Sequence, residues 1–562
     1  MAHPMTPREA VIAELTAAGG PFALQQVGEP GANLRVYTTG PKSLRDVLLA
    51  TRDHTDNTFL VYEDERVSFA DHFQRVARLA HWLQDVGVVK GDRVAIGMRN
   101  YPEWPVSFFA CQAIGAVAVT LNAWWTGPEL VYGLSDSGTK VALLDAERLA
   151  SLTPHLAEVP ELQVLVARDE QQRTAASQWE TTLASYNRRL ELPEVVIESS
   201  DYASIMYTSG TTGFPKGALH THANHVTNIQ NTLLSATAAA ALVPNPDSSA
   251  SVPQPSSLQT FPFFHIGGLT GLYMSAIGGA KLVLMYRWNA DQAIDLIARE
   301  KIRSWGGVPT VVRQVLEHPR AASGELDSLV SIGSGGAPVP EDLIKRVGDM
   351  FESRVAPGNG YGATETTSAI ITNGGAEYLA HPNSVGRPIV TVDVRIVDDA
   401  GNDCAPGKIG ELWVRGPNVF AGYWDKPEAT EQAFNRGWFL SGDLGYVDEE
   451  GFYYVVDRKK DVIIRAGENV YCAEVEGVLH HHPDIADVAL IGLPHRELGE
   501  EVAAVVELKP GADLSAVELQ SYVAEHLAKF NVPSRVFFSD EPLPRTATGK
   551  VLKRDLKQRY VA

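Results

Sequence analysis

The sequence predicts an α/β protein with a large N-terminal domain of covered mixed β-sheets and helices plus a β-barrel-like subdomain, followed by a small mobile α+β C-terminal domain. Strand-like and helix-like segments alternate over the first 200 residues, and the strand-like runs are continuously apolar, as in parallel sheets covered by helices. From about residue 385 short strands alternate with turns. The charged junction DRKKD begins at Asp457, so we expect the domains to span 1–457 and 458–562.

The N-terminal elements can be justified individually. Ser68 with Asp71 resembles a capping box, and Gly87 stands where the following amphipathic helix would stop. RVAIGM (93–98) predicts a buried strand, which is followed by an apolar helix and then by the strand AVAVTLN (116–122).

Composition narrows the classes of function. Of the 562 residues, 48 are Lys or Arg and 68 are Asp or Glu, so the net charge is −20. This acidity argues against a nucleic-acid partner and against binding to an anionic membrane surface. The start of the sequence resembles no secretory signal, and no apolar run is long enough to span a membrane, so we expect a cytoplasmic protein. Residues 235–257 are rich in Ala, Ser and Pro and predict a long surface loop.

The most informative segment is YTSGTTGFPKG (207–217), which follows a strand-like run. Its glycines allow several backbone N–H groups to face one anion, its hydroxyls add donors, and Lys216 adds a positive charge. It is not a Walker A loop, because Pro215 precedes the lysine and Gly217 replaces the magnesium-binding Ser or Thr. We interpret it as a polyphosphate-binding loop; the alternative is a flexible surface turn.

Eight motifs occur in the order found in one superfamily. They are YTSGTTGFPKG (207–217), FPFFHIGG (261–268), GSGGAP (333–338), GYGATE (360–365), GWFLSGDLG (437–445), DRKKD (457–461), GENVY (467–471) and PRTATGK (544–550). With these motifs the chain resembles the AMP-forming acyl-CoA synthetases, the superfamily that includes luciferases and peptide-synthetase adenylation domains. The resemblance covers nearly the whole chain. Ala123 departs from it, since the family often has Pro there, and the 235–257 segment looks enlarged.

The resemblance implies that a carboxylate attacks the α-phosphate of ATP, and that coenzyme A then takes the acyl group from the acyl-adenylate. It places Glu365 on the magnesium ion, Thr364 on the α-phosphate, Asp443 on the ribose hydroxyls, and Arg458 on the sugar and phosphate. Alone, Asp443 would be interpreted as a turn residue. The remaining nucleotide-binding residues that it implies are Thr208, Ser209, Gly210, Thr211, Thr212, Gly213, Lys216, Gly335, Gly336, Ala337, Pro338, Gly360, Tyr361 and Gly362.

The resemblance also implies a moving C-terminal domain. Lys550 would bridge the carboxylate and the α-phosphate during adenylation, and Lys460 would be the hinge. Rotation would then replace Lys550 by a loop containing Gly467 and Glu468, which would face the coenzyme A tunnel. DRKKD could equally be an exposed charged turn. The segment from Arg545 to Arg559 carries a local charge of +5, which we interpret mainly as a solvated helix that also favours anions near Lys550.

The acid would lie beside His265, a residue that could equally be structural. The implied pocket consists of His265, Ile266, Gly267, Trp305, Val308, Gly333 and Gly362. So many glycines favour a medium or long fatty acid, with an aryl acid as the alternative. The sequence also leaves open an adenylating enzyme that loads a carrier protein and, from a different class, a nucleotide-binding regulator without catalysis. A homodimer stays open. His220, His222 and His225 lack a standard zinc spacing.

Overall fold

The computed structural model describes residues 6–28, 33–169, 176–208, 214–242, 253–546 and 549–561. Its helices are α1 (Pro7–Thr16), α2 (Leu44–Ala50), α3 (Phe69–Asp85), α4 (Glu103–Ile114), α5 (Gly127–Ser137), α6 (Ala146–Leu152), α7 (Trp179–Ser185), α8 (His222–Ala241), α9 (Ile266–Ile277), α10 (Ala290–Glu300), α11 (Pro309–Leu316), α12 (Glu341–Met350), α13 (Gly375–Ala380), α14 (Pro427–Ala433), α15 (Cys472–His480), α16 (Ala516–His526) and α17 (Lys553–Tyr560).

The strands are β1 (Leu24–Val27), β2 (Leu34–Tyr37), β3 (Thr58–Tyr62), β4 (Glu65–Ser68), β5 (Arg93–Gly97), β6 (Val117–Thr120), β7 (Val141–Asp145), β8 (Gln163–Ala167), β9 (Ser177–Gln178), β10 (Tyr202–Thr208), β11 (Lys216–Thr221), β12 (Ser256–Gln259), β13 (Lys281–Leu284), β14 (Ser304–Gly307), β15 (Ser331–Gly335), β16 (Ala356–Ala363), β17 (Ser368–Gly374), β18 (Arg387–Pro388), β19 (Asp393–Val397), β20 (Gly410–Arg415), β21 (Gly422–Tyr423), β22 (Phe434–Asn435), β23 (Trp438–Val447), β24 (Tyr453–Arg458), β25 (Ile463–Arg465), β26 (Glu468–Val470), β27 (Ile485–His495), β28 (Gly499–Leu508) and β29 (Arg535–Phe538).

Two large mixed sheets form the N-terminal part. One has the order β21-β11-β10-β6-β5-β7-β8-β9, and the other has the order β18-β17-β16-β15-β14-β12-β13-β3-β4. Their central strands pair in parallel, whereas β11 and β17 pair antiparallel with β10 and β16. Ligands bind at the carboxyl ends of such parallel strands, and motif residues here follow β10, β12 and β15.

The two sheets share one hydrophobic core. Helices α3, α4, α8 and α9 contribute buried side chains to a cluster that also contains residues of β5 and β10 from one sheet and of β3 and β13 from the other. The outer faces are covered by α5 and α6 on one side and by α10, α11 and α12 on the other. The predicted covered α/β architecture is therefore confirmed. Rigid packing of this kind holds the strand ends in fixed positions.

Two smaller sheets follow. The sheet β19-β20-β23-β22, to which β24 adds along β23, lies over its own apolar cluster and corresponds to the predicted barrel-like subdomain. The last sheet has the order β26-β25-β28-β27 with β29 beside β28, and helices α15 and α16 cover it. This α+β unit has a separate core, as expected for a small C-terminal domain.

The N-terminal expectations are largely confirmed. Ser68 caps α3 by accepting a hydrogen bond from the Asp71 amide, and Gly87 adopts a φ of 89° after the helix. A glycine takes this left-handed conformation at little cost. The 93–98 and 116–122 segments contain β5 and β6, and the apolar helix between them, α4, is buried along its whole length.

The prediction of one loop over residues 235–257 is wrong at both ends. Helix α8 continues to Ala241, and strand β12 begins at Ser256. Alanine is the best helix former, so the Ala-rich half of the segment extends the helix. Residues 243–252 lie outside the described residues. Within the part that the structure describes, no helix is long and apolar enough to cross a membrane.

Candidate active site

The predicted phosphate loop closes a β-hairpin. Thr208 ends β10 and pairs with Lys216, the first residue of β11, and the Thr208 hydroxyl donates to the Lys216 carbonyl at 3.4 Å. Beside the hairpin, the Tyr132 hydroxyl donates to the Pro215 carbonyl at 2.9 Å, and its ring stacks on Phe214. Five residues of the predicted loop lie outside the described residues: Ser209, Gly210, Thr211, Thr212 and Gly213.

Tyr423 lies between Lys216 and Glu365. The Tyr423 hydroxyl donates to Glu365 Oε1 at 2.9 Å, and the Lys216 ammonium lies 5.1 Å from the centre of the same ring. An aromatic face attracts a cation, and a phenol is a good donor to a carboxylate. One side chain thus contacts a cation and an anion that are 149 residues apart in sequence (365 minus 216).

Backbone pairing fixes this arrangement. Strand β21 places Tyr423 opposite Ala218 of β11, next to the phosphate hairpin. The Phe420 amide donates to the Glu365 carbonyl at 2.8 Å. His220 contacts the neighbouring carbonyl of Thr364 through Nε2, also at 2.8 Å. Sequence reasoning missed Tyr423, because no charge, motif or periodicity distinguishes a tyrosine on a two-residue edge strand.

Asp443 lies between a tyrosine and an arginine. The Tyr361 hydroxyl donates to Asp443 Oδ2 at 2.7 Å, and the Arg458 guanidinium is 3.4 Å from Oδ1. Strand pairing accounts for the second contact, since Asp443 of β23 is directly opposite Arg458 of β24. Burial, together with the Asp443 charge, raises the pKa of Tyr361 well above its ordinary value, so Tyr361 remains a donor.

Lys550 follows a tight turn that reaches the N-terminal sheets. The Lys550 amide donates to the Thr546 hydroxyl at 3.1 Å, and the Thr546 amide donates to the Lys550 carbonyl at 2.7 Å. Gly549 in this turn has a φ of 84°, and a Cβ built on it would lie 3.1 Å from Val308 Cγ2. Val308 follows β14, so the turn lies at the carboxyl end of the central sheet.

Charged groups from four separate positions in the chain converge on Lys550. Burial lowers the pKa of Lys550 to about 8, and the nearby positive charges of Arg458 and Lys460 contribute, whereas Asp443 and Glu365 oppose the shift. Lys460 itself has a pKa lowered by burial. The structure therefore brings Lys550, Arg458, Lys460, Asp443 and Glu365 into one electrostatic neighbourhood.

His265 caps helix α9. Its Nδ1 accepts a hydrogen bond from the Gly267 amide at 3.1 Å, and its ring stacks 6.0 Å from Phe261. Burial and, secondarily, the charge of Lys550 lower the pKa of His265 to about 4, so it is neutral at physiological pH. Ile266, the next residue, is buried in the core between the two sheets.

A row of glycines leaves part of one face of the nine-stranded sheet, the sheet that contains β14, β15 and β16, without side chains. Gly306 of β14 is opposite Gly333 of β15, which is opposite Gly358 of β16. These three glycines are partly exposed. Two residues further along the strands, Gly335 is opposite Gly360 and lies on the same face. Successive side chains in a strand point to opposite faces, so this bare face is backed by the core on its other side.

The side chain of Trp305, which was expected to line the acid pocket, lies in the core under the sheet. Its indole is 4% exposed, belongs to the core cluster under the sheet, and stacks 6.0 Å from Trp288. The reason is strand alternation: Trp305 precedes Gly306 and therefore points away from the glycine face. Val308, by contrast, lies beside both Gly549 and Gly336.

The other glycines that are predicted to bind the nucleotide lie on the neighbouring strand ends. Gly336 has a φ of 79° and is exposed just after β15, together with the partly exposed Ala337 and the exposed Pro338. A Cβ at Gly362 would lie 2.0 Å from the Ser368 carbonyl oxygen, so that position admits only glycine.

Gly467 and Glu468 are not part of this cluster. They form the tip of the β25–β26 hairpin, where Gly467 has a φ of 88° and both residues are exposed.

Much of the +5 segment around Lys550 is neutralised locally. Lys553 is 2.7 Å from Glu476 and Arg559 is 3.8 Å from Glu541, while Arg545 contacts Asp487. Helix α17 exposes Arg554 and Arg559, as expected for a solvated helix. The expectation that the segment also favours anions needs correction, because Arg545, Lys553 and Arg559 lie against carboxylates of the C-terminal unit. The local positive charge at the site comes from Lys216, Arg458, Lys460 and Lys550.

The three clustered histidines are buried and hydrogen-bonded. Ser204 Oγ is 2.8 Å from His225 Nε2 and 3.4 Å from His220 Nδ1, while the Leu44 amide donates to His222 Nδ1 at 3.1 Å. Within the described ranges, no group of three or more His, Cys, Asp or Glu side chains could hold a metal ion.

Two family models match the chain. The AMP-binding enzyme model matches residues 49–424, and the model of the AMP-binding enzyme C-terminal domain matches residues 474–550. The chain belongs to the AMP-binding enzyme family. The predicted family and the predicted class, an AMP-forming acid–thiol ligase, are thereby confirmed.

Several known proteins are similar along nearly their full length. Feruloyl-CoA synthase of Amycolatopsis sp is 36% identical over 499 residues, which cover 88% of this chain and 94% of that protein. Long-chain-fatty-acid–CoA ligase FadD13 of Mycobacterium tuberculosis is 34% identical over 504 residues, covering 89% and 94%. The structure of o-succinylbenzoate CoA synthetase (MenE) from Bacillus subtilis with its acyl-adenylate OSB-AMP superimposes with a TM-score of 0.76 at 32% identity, covering 91% and 97%. The same enzyme has been solved with ATP and a magnesium ion.

Proposed function

We propose that this enzyme converts a hydrophobic carboxylic acid, ATP and coenzyme A into the acyl-CoA thioester, AMP and pyrophosphate, through an acyl-adenylate. The observation that carries the proposal is the position of Lys550, directly after Gly549, which lies against Val308, and in the electrostatic neighbourhood of Arg458, Asp443 and Glu365. A lysine from the C-terminal unit there can neutralise the charge that develops when a carboxylate attacks the α-phosphate.

Each group in the cluster has a role that its chemistry suits. Lys216 and the hairpin that it closes would hold the β- and γ-phosphates, and Thr364 would face the α-phosphate. Asp443 would accept hydrogen bonds from the ribose, with Arg458 beside it. Tyr361 and the glycines around positions 335 and 360 would flank the adenine, because residues without side chains leave room for a planar base.

A magnesium ion fits the carboxylate of Glu365. The Tyr423 hydroxyl donates to its Oε1, which leaves lone pairs for a metal, and a hard cation that bridges phosphates commonly uses one or two protein carboxylates. Bound with ATP, the ion would neutralise phosphate charge. The neutral His265 lies near Lys550 and would orient the carboxylic acid without adding a competing positive charge.

The domain boundary near Asp457 and the hinge at Lys460 are part of the proposal. The boundary lies between the two ranges matched by the family models. In the present orientation Lys550 faces the cluster, whereas Gly467 and Glu468 are exposed. Exchange of these two elements by rotation would let coenzyme A approach after adenylation. The cytoplasmic location and a homodimer stay predictions.

For the acid we propose an aromatic carboxylic acid, with a medium or long fatty acid as the second candidate. The bare face formed by Gly306, Gly333 and Gly358 offers a flat surface on which a ring can lie. Feruloyl-CoA synthase and MenE are named for aromatic acids, which supports the first candidate, and FadD13 is named for long-chain fatty acids, which supports the second.

Carboxylate-dependent exchange of labelled pyrophosphate into ATP tests the proposal, followed by a coenzyme A thioester assay with benzoate, cinnamate, octanoate, palmitate and acetate. Exchange and thioester formation with the aromatic or long acids are expected. Exchange without thioester would favour carrier loading, and no exchange with any acid would favour a non-catalytic nucleotide-binding protein. Acetate outperforming both octanoate and benzoate would contradict the assigned acid class.

A further inference from the structure

The relation between Lys216 and Glu365 poses a physical problem that the motifs do not address. Both side chains are partly buried and both lie against the same tyrosine, one over its ring and one on its hydroxyl. Opposite charges in a partly desolvated site attract strongly. Yet the ion pairs formed by the described residues do not include a Lys216–Glu365 pair.

A direct ion pair would be harmful to the chemistry. If Lys216 bound Glu365, the ammonium would be lost to the phosphates and the carboxylate would be lost to magnesium. A neutral ring between them offers each charge a separate partner: the π face for the cation and the hydroxyl for the anion.

Tyr423 is itself held firmly. Its amide donates to the Thr430 hydroxyl at 2.9 Å, and the ring packs edge-on against Phe420 with 4.9 Å between centroids. Its strand also pairs with β11, the strand that begins at Lys216. The ring therefore has a fixed position relative to both the phosphate hairpin and the segment that carries Glu365.

We propose that Tyr423 is a positioning residue that keeps Lys216 and Glu365 apart and directs the ammonium and the carboxylate to different parts of bound Mg–ATP. The proposal rests on the function proposed above and adds a residue that acts through its two neighbours. It predicts that the hydroxyl governs the magnesium dependence of nucleotide binding, whereas the ring governs the availability of Lys216.

Three variants separate these contributions. Tyr423→Phe removes the hydroxyl and keeps the ring, and Tyr423→Leu removes both. Tyr454→Phe is the matched control, because the Tyr454 hydroxyl also donates to a carboxylate, Asp448, at 3.1 Å but lies outside the cluster. Calorimetric titration with a non-hydrolysable ATP analogue, at a series of magnesium concentrations and in EDTA, measures binding without requiring the acid to be known.

For Tyr423→Phe we expect a rise of about tenfold in the magnesium concentration at which the affinity for the ATP analogue is half-maximally increased. The affinity of this variant for the analogue in EDTA should be unchanged. Tyr423→Leu should weaken binding in EDTA as well, because Lys216 then pairs with Glu365. Tyr454→Phe should match the wild type. The thermal midpoint of Tyr423→Phe, measured without nucleotide, should lie close to that of Tyr454→Phe, which shows that the variant is folded.

Two results would overturn the proposal, and they differ from each other. If Tyr423→Phe and Tyr454→Phe shared the wild-type magnesium dependence, Tyr423 would be structural only. If the wild-type protein bound no nucleotide under any condition, the proposed function would be wrong. The assignment of Mg–ATP as the ligand of Lys216 and Glu365 would then be wrong as well.

Discussion

Gly549 packs against Val308, so the turn before Lys550 touches the end of a central strand: a Cβ on Gly549 would lie 3.1 Å from Val308 Cγ2. We predict that Gly549→Ala slows pyrophosphate exchange about tenfold. The φ of 84° costs an alanine roughly 1–2 kcal/mol, and the methyl group also presses on Val308. Thioester formation from supplied acyl-adenylate should be retained.

Gly511 provides the control for this prediction. It has a φ of 81° in the same C-terminal unit, but a Cβ there would meet nothing within 4 Å. Gly511→Ala therefore has the same cost of a left-handed backbone conformation but makes no new contact. Pyrophosphate exchange by this variant should stay near the wild-type rate. Equal loss in both variants would show that general destabilisation, rather than the contact with Val308, slows the reaction.

The ionisation of Lys550 should set a pH limit on adenylation. Its pKa is lowered to about 8, so the ammonium is charged below this value and is lost as the pH rises through it. We predict that kcat/KM for ATP in the exchange reaction falls above about pH 8, since this parameter reports the free enzyme. Lys550→Arg should be slower but without this decline, because a guanidinium stays protonated. An unchanged decline in Lys550→Arg would assign it to another group.

The bare face of the central sheet should control which acids are accepted. A Cβ at Gly333 has its nearest neighbour at 3.9 Å, so Gly333→Ala fits the fold while placing a methyl group on the glycine face. We predict a loss of roughly tenfold in kcat/KM for aromatic acids and little change for acetate. Gly477→Ala, in helix α15, is the control because its Cβ also meets nothing. Uniform loss across all acids in Gly333→Ala would contradict a substrate-facing position.

Lys553 should stabilise the C-terminal unit rather than bind substrate. Its Nζ lies 2.7 Å from Glu476, and the charges of Glu476 and Asp457 raise its pKa although burial alone would lower it. Because the folded pKa is raised, this stabilisation is present below the ordinary value of 10.5 and is lost only above it. We predict that Lys553→Met lowers stability by roughly 1–3 kcal/mol at about pH 7, measured as a lower thermal midpoint.

The surface pair of Lys345 and Glu341 gives the comparison, since the Lys345 side chain is 64% exposed. Lys345→Met should change stability by at most about 0.5 kcal/mol. If Lys553→Met were equally mild but abolished adenylation, Lys553 would belong to the site instead.

Motifs predicted much of the site because each keeps several chemical groups in a short stretch. The strand that precedes the predicted phosphate loop and the separation of a C-terminal core could be inferred from local sequence. Tyr423 could not, because its role depends on strand β21 pairing with β11, which lies far earlier in the chain. The side-chain direction of Trp305 was unpredictable for a related reason: strand alternation within the paired sheet decides which face its indole covers. Helix α8 extends into the segment predicted as a loop, because alanine favours helix wherever packing allows it.

The central claim is that Lys550 acts in adenylation only, from a domain that then moves. The most direct measurement compares Lys550→Ala with the wild type in the two half-reactions: pyrophosphate exchange, and conversion of supplied acyl-adenylate plus coenzyme A into thioester. We predict that exchange falls by at least about 100-fold, as for loss of a transition-state cation, while thioester formation stays within a few-fold of the wild type. Equal loss of both half-reactions would contradict the account.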